Sequence, residues 1–177
     1  MIVMRSNEPW DDYSQWEWYK KYNNYNMPTL FLAGPNPRKD SVPSWRPESL
    51  DILKEIEFEG GVFVPEPFAK DYETQVQWEW NALTFCTLVL FWVPRDLHRM
   101  PAFTTNVEFG MFVESDKIVY GRPEGAPKTR YLDWHYRRGG FSKDKKWTGK
   151  RAPFSDLRSM LIHAATLAKF KEDSQCR

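Results

Sequence analysis

Past Pro28 the apolar positions alternate between short continuous runs and longer amphipathic stretches. TLFLAG, Thr29 to Gly34, is an apolar run closed by Gly and Pro, the pattern of a buried strand entering a loop. Pro47 to Glu59 carries Leu50, Leu53, Ile56 and Phe58 on one face and acids elsewhere. Ser44 or Arg46 stands ahead of a proline suited to a first helical turn, which predicts a helix. GVFVPEP (Gly61 to Pro67) reads as the next strand. Glu73 to Leu83 reads as a helix with Val76, Trp80 and Leu83 as its core stripe, and Gln75, Trp78 and Glu79 sharing another side. CTLVLFWVP (Cys86 to Pro94) is the most continuously apolar segment, as a strand covered on both faces would be. Thr104 to Glu114 follows as a helix, KIVYG (Lys117 to Gly121) as a fourth strand and TRYLD (Thr129 to Asp133) as a short fifth one.

Repeated strand and helix units predict an α/β fold with a parallel sheet and right-handed crossovers. Functional loops then gather at the carboxyl ends of the strands, after Ala33, Val64, Val93 and Tyr120. Around this domain, residues 28–133, stand two flanks. Residues 1–27 are an aromatic and polar extension, with Trp16, Tyr19 and Lys20 at helical spacing in a short helix near Asp12 to Tyr22. Residues 134–177 combine a basic loop (134–150) with an amphipathic helix, Phe154 to Lys171, packing on the same domain.

Composition narrows the class. A chain of 177 residues suits one compact domain, and 16% aromatic residues exclude a disordered one. No stretch reaches the ~18 apolar residues of a membrane helix, and the N-terminus lacks the long apolar region of a signal peptide, so a cytoplasmic protein without a membrane partner is expected. Cys86 and Cys176 have neither disulfide-scaffold nor zinc-site spacing. The net charge of +1 conceals two opposed blocks. From Arg46 to Trp80 nine acids face three bases, while between Lys128 and Arg151 nine Lys or Arg face two acids. The basic block is either a solvated loop or a phosphate-facing segment. Being local, it does not make nucleic acid the expected partner.

Neither a dinucleotide fingerprint nor a Walker loop is present. The first loop is GPNPRKD, where Gly34 permits close backbone approach and the prolines stiffen the turn. MPAFTTNVEFG (Met100 to Gly110) places Glu108 in the first turn of a helix. There it either completes a capping box with Thr105 or, near the positive end of the helix dipole, stays ionised and nucleophilic. Glu79, with Gln75 and Trp78 beside it, offers a carboxylate, an amide and a ring, in outline the chemistry that binds a nucleobase. His98, His135 and His163 are scattered, without metal-ligand spacing, so no metal is expected.

FLAGPNPR, SWRPESLDIL, GVFVPEP, QVQWEW, LVLFWVPR, MPAFTTNVEFG and KTRYLD, in this order, resemble the nucleoside 2-deoxyribosyltransferase family over roughly Thr29 to Asp133. The resemblance implies a flavodoxin-like sheet of order 2-1-3-4-5, no cofactor, a homo-oligomer, and 2-deoxyribosyl transfer from a nucleoside to a free nucleobase. Glu108 matches the family's nucleophile, and Glu79 falls where an acidic residue holds and protonates the base. Asn106 would orient the nucleophile or the sugar. Gly34, Pro35 and Asn36 match the loop beside the substrate, with Trp78 and Trp92 as stacking candidates. Cys86 and Thr87 replace an acid that many relatives carry, which loosens a structural hydrogen bond there. The basic block adds the prospect of a 5'-phosphate held by Lys128 or Arg130, and with it a nucleotide N-glycosidase as the alternative to the transferase. A non-catalytic nucleotide-binding module is the third reading.

Overall fold

The computed structural model describes residues 1–7, 27–39, 41–138 and 151–175. Its strands are β1 (Ile2–Arg5), β2 (Thr29–Ala33), β3 (Gly61–Val64), β4 (Leu88–Trp92) and β5 (Ile118–Gly121). The helices are α1 (Arg46–Glu55), α2 (Tyr72–Phe85), α3 (Phe103–Phe112), α4 (Arg130–Arg138) and α5 (Leu157–Gln175). All strand pairings are parallel, in the order β1-β3-β2-β4-β5. Alternate side chains go to opposite faces. Phe31, Phe63, Val89, Phe91 and Tyr120 pack with α2, α3 and α4, and Leu30, Leu32, Val62, Leu90 and Val119 with α1 and α5. Every residue of β2, β3, β4 and β5 is buried, as a sheet covered on both faces requires.

The α/β class and the four strands expected between Thr29 and Gly121 are present in the expected relative order. The fifth place is filled differently. Ile2–Arg5, read as part of an extension, is a strand on the β3 edge, in register from Ile2 opposite Gly61 to Arg5 opposite Val64. TRYLD, read as the fifth strand, opens helix α4 instead, and the expected basic loop begins as that helix. Its buried residues Leu132, Asp133 and Tyr136 follow a helical period, which five residues taken alone conceal. Asp133 accepts hydrogen bonds from Tyr120 Oη (2.9 Å) and Arg122 Nη2 (2.7 Å), fixing α4 to the end of β5. On the outer side of β5, among the described residues, the sheet gains an isolated bridge between Gly121 and Phe154. The helix expected near Asp12 to Tyr22 lies outside the described residues.

Thr87 mends the start of β4. Its backbone N–H donates to Thr29 Oγ1 (2.9 Å), and Thr29 N–H donates back to Thr87 Oγ1 (3.0 Å). The loosened hydrogen bond expected there is thus replaced by a reciprocal pair between β2 and β4. Cys86 beside it is a buried thiol whose pKa is pushed up to about 12, chiefly by burial.

Candidate active site

The carboxyl ends of β2 and β3 lead into loops that converge on one side chain, Arg46 in the first turn of α1. It is 1% exposed. Its Nε donates to Leu32 O (2.9 Å) and its Nη2 to Gly34 O (2.9 Å), while Nη1 donates to Asn36 Oδ1 (2.5 Å) and to the Glu66 carboxylate. The neighbouring Trp45 donates from Nε1 to Pro35 O (3.2 Å). The first loop is therefore held through its carbonyls and its Asn36 amide. Gly34 is required there: with φ +152°, an added Cβ would lie 2.2 Å from Trp92 O and 2.8 Å from the Trp45 ring.

The loop after β3 carries Glu66 to Arg46 and is tied by Gln75 of α2. Ala69 N–H donates to Gln75 Oε1 (2.7 Å), and Gln75 Nε2 donates to Pro65 O (3.3 Å) and to Glu79 Oε1 (2.7 Å). The Gln75 amide is thus committed to positioning Glu79 one helical turn on. The buried residues of α2 are Gln75, Trp78, Ala82 and Leu83. Val76 and Trp80, read as core stripe, are 44% and 49% exposed. The helix turns its polar pair inward, where Gln75 ties the loop after β3 and holds Glu79.

Helix α3 begins after Ala102, whose φ of 62° makes the turn, and no side chain caps it. Thr105 is thus inside the helix and Glu108 is its sixth residue, so neither the capping box nor the first-turn placement holds. The carboxylate is not kept ionised by the dipole. Burial, then the like charge of Glu79, push the Glu108 pKa up to about 7, with Arg46 opposing. Glu79 is raised as well, by burial against the Gln75 hydrogen bond and Arg46. Two half-buried carboxyls repel one another beside one buried guanidinium that both feel. Between the ordinary carboxylate range and about 7, Glu108 holds its proton. Among the described residues no three His, Cys, Asp or Glu form a group able to hold a metal ion.

Glu108, Glu79, Gln75, Gly34, Pro35 and Asn36 are thus gathered around Arg46 and its neighbour Trp45. Asn106 is not. Two residues before Glu108, about 200° round the helix, its Oδ1 accepts from Arg95 Nη2. Lys128 joins that second group, its carbonyl accepting from Arg95 Nη1 (2.7 Å), while Arg130 is exposed at the start of α4. Trp78 packs edge-on against Phe63 and tilted on Phe31, and Trp92 lies in the opposite core layer. At 3% and 6% exposure, neither ring is open to a ligand. Arg46 and Glu66, which hold the loops of this candidate site together, and the buried Arg95 behind α3 were passed over by the sequence reading. The available signal was a charged residue embedded in each apolar motif: Arg46 before Pro47, Glu66 between two prolines, Arg95 after Val93 and Pro94.

A family model described as nucleoside 2-deoxyribosyltransferase like matches residues 27–126. The chain belongs to this family. The matched span runs from just before β2 to just past β5 and contains Arg46, Glu66, Glu79 and Glu108, while β1, α4 and α5 lie outside it. No curated protein matches the chain in sequence. Membership in the family points to an enzyme with nucleoside deoxyribosyltransferase-like activity and to a nucleoside-type small molecule as its ligand. Among the described residues no helix is long and apolar enough to cross a membrane.

Proposed function

We propose that the chain transfers a 2-deoxyribosyl group between nucleobases, in nucleoside salvage, through a covalent glycosyl ester on Glu108. Glu79 serves as the acid and base for the departing and arriving bases. The observation supporting this reading is the electrostatic coupling of Glu79 and Glu108 around Arg46. The reaction needs one carboxylate and one carboxylic acid, and both carboxyls release their protons at higher pH than an ordinary Glu.

With the proton on Glu79, the Glu108 carboxylate attacks C1' of the sugar. The C1'–O bond forms as the C1'–N bond breaks, the bonding pair leaves with the base, and Glu79 gives its proton to that base. In the second half Glu79 takes a proton from the acceptor base, whose nitrogen attacks C1' and releases Glu108 as carboxylate. Water in the acceptor's place hydrolyses the same ester. Arg46 stabilises the charge that the pair carries, and Gln75 holds Glu79 in place through its 2.7 Å hydrogen bond.

The test is chromatography of bases and nucleosides after incubation with a 2'-deoxynucleoside, with and without a second base, together with mass spectrometry of acid-quenched protein. A new nucleoside that requires the acceptor, a deoxyribosyl adduct on Glu108 and an inactive Glu108→Gln variant are expected. Free base released equally without acceptor would replace the transferase by a hydrolase. Turnover surviving in Glu108→Gln would overturn the covalent route.

A further inference from the structure

The far side of α3 carries a second polar cluster that the proposed reaction leaves unused. A cleft of about 470 Å³ runs between α3 and α4, lined by Arg95, Asn106, Lys128, Tyr131 and His135 among others. Arg95 is 7% exposed, and among the described residues it forms no salt bridge. Among the described residues its hydrogen bonds go to neutral oxygens, Asn106 Oδ1 and Lys128 O. Its Nε is buried with no hydrogen-bond partner among the described residues, and so is His135 Nε2.

A guanidinium remains charged at physiological pH, and taking one out of water without a counter-charge is unfavourable by several kcal/mol. A buried N–H left unpaired adds to that cost. Lys128 brings a second cation to the same cleft, and Lys128 and Tyr131 bracket the start of α4, the positive end of its dipole. The one acid lining the cleft, Glu114, is exposed and lies just past the C-terminal end of α3, eight residues from Asn106. The inner end of the cleft is therefore rich in donors and cations and poor in acceptors.

We propose that this cleft binds a phosphate-type anion, a free phosphate ion or the phosphate of a nucleotide, held by Arg95, Lys128 and His135. It is a site distinct from the Glu79 and Glu108 pair, on the opposite side of α3. Tetrahedral oxygens of one such group accept from several donors at once, which fits Arg95 Nε and His135 Nε2 better than a halide would. Arg130 lies outside the lining of the cleft.

The test is calorimetric titration of the full chain at low salt with inorganic phosphate, a 2'-deoxynucleoside 5'-monophosphate and the matching nucleoside, in a Glu108→Gln background that prevents turnover. Lys128 has φ 56°, so Lys128→Asn removes the charge while keeping a residue suited to the left-handed backbone. His135→Gln is the second variant, and circular dichroism checks that both fold. Saturable binding of phosphate or monophosphate, weakened roughly tenfold or more in each variant, is expected. If phosphate competes with the monophosphate, the anion is the nucleotide's own; if the two bind together, it is a free anion, and either result supports the site. Absence of binding by both probes at millimolar concentration, or binding changed less than twofold in two folded variants, overturns it. Because the readout is binding without chemistry, failure here leaves the Glu108 reading untouched, and an inactive site pair leaves this cleft untouched.

Discussion

Glu108→Gln should stabilise the protein, and only on the alkaline side. The Glu108 carboxyl rises from 4.5 to about 7 on folding, so between those values the native state holds a proton that the unfolded chain has released. Stability from this group is therefore complete below about 4.5, is lost as pH rises toward about 7, and is level above that. At 1.36 kcal/mol per pH unit, and discounted because the side chain is only half-buried, the loss is about 2–3 kcal/mol. Gln is neutral at every pH and avoids it. Urea denaturation followed by circular dichroism at pH 4 and pH 8 should give nearly equal stabilities for the two proteins at pH 4 and a variant ahead by about 2–3 kcal/mol at pH 8. In thermal melts a chain of this length moves roughly 2–4 °C per kcal/mol. Glu79 titrates in both proteins, so the difference isolates Glu108 together with its repulsion by Glu79. A gap that is the same at both pH values, or a variant less stable at pH 8, would refute the placement of Glu108 in a charge-averse pocket.

Three further outcomes follow from the same contacts. The rate constant kcat/KM should rise with pH up to about 7, as Glu108 becomes the attacking carboxylate. In Glu79→Gln that limb should move to lower pH, because the like charge that helps raise Glu108 is gone, with the rate down roughly 10²–10⁴-fold, as pH–rate profiles will read. Arg46→Met should cost about 3–5 kcal/mol in denaturant melts, because it leaves Glu66 and the carbonyls of Leu32 and Gly34 without their donor. Gly34→Ala should lower stability by ~1–3 kcal/mol or more, since its Cβ would meet Trp92 O at 2.2 Å; an unchanged melting temperature would contradict that packing.

What could be read from the sequence was whatever depends on local pattern. The run Leu88–Trp92 announced a strand buried on both faces, and every one of its residues is buried. Glu79 and Glu108 could be picked out because each sits in a recognisable motif. Arg46 could not, because its meaning lies in partners 10 to 20 residues away on two other loops. Period misled where buried polar groups find partners: Val76 and Trp80 looked like the core stripe of α2, yet the helix turns Gln75 and Glu79 inward, where Gln75 bonds Ala69 N–H, Pro65 O and Glu79. The placement of Glu108 at the head of its helix failed for a related reason. Ala102 in a left-handed conformation starts α3 earlier than the Thr105 signal suggests, and burial rather than the dipole sets the carboxyl's protonation. Four residues, Ile2–Arg5, carry too short a pattern to announce an edge strand.

That edge strand bears on how the protein can be handled. Beyond pairing with β3, it reaches the site's supporting loop: Arg5 Nη1 donates to Glu66 O and Ser6 Oγ to Pro67 O, both at 2.9 Å. Trimming the first six residues would bare the β3 edge as a template for another chain. It would also unfasten the segment that delivers Glu66 to Arg46. A truncated or heavily tagged preparation would thus couple two failures with one origin, poor solubility and poor turnover, and the second could be mistaken for evidence about the catalytic carboxylates.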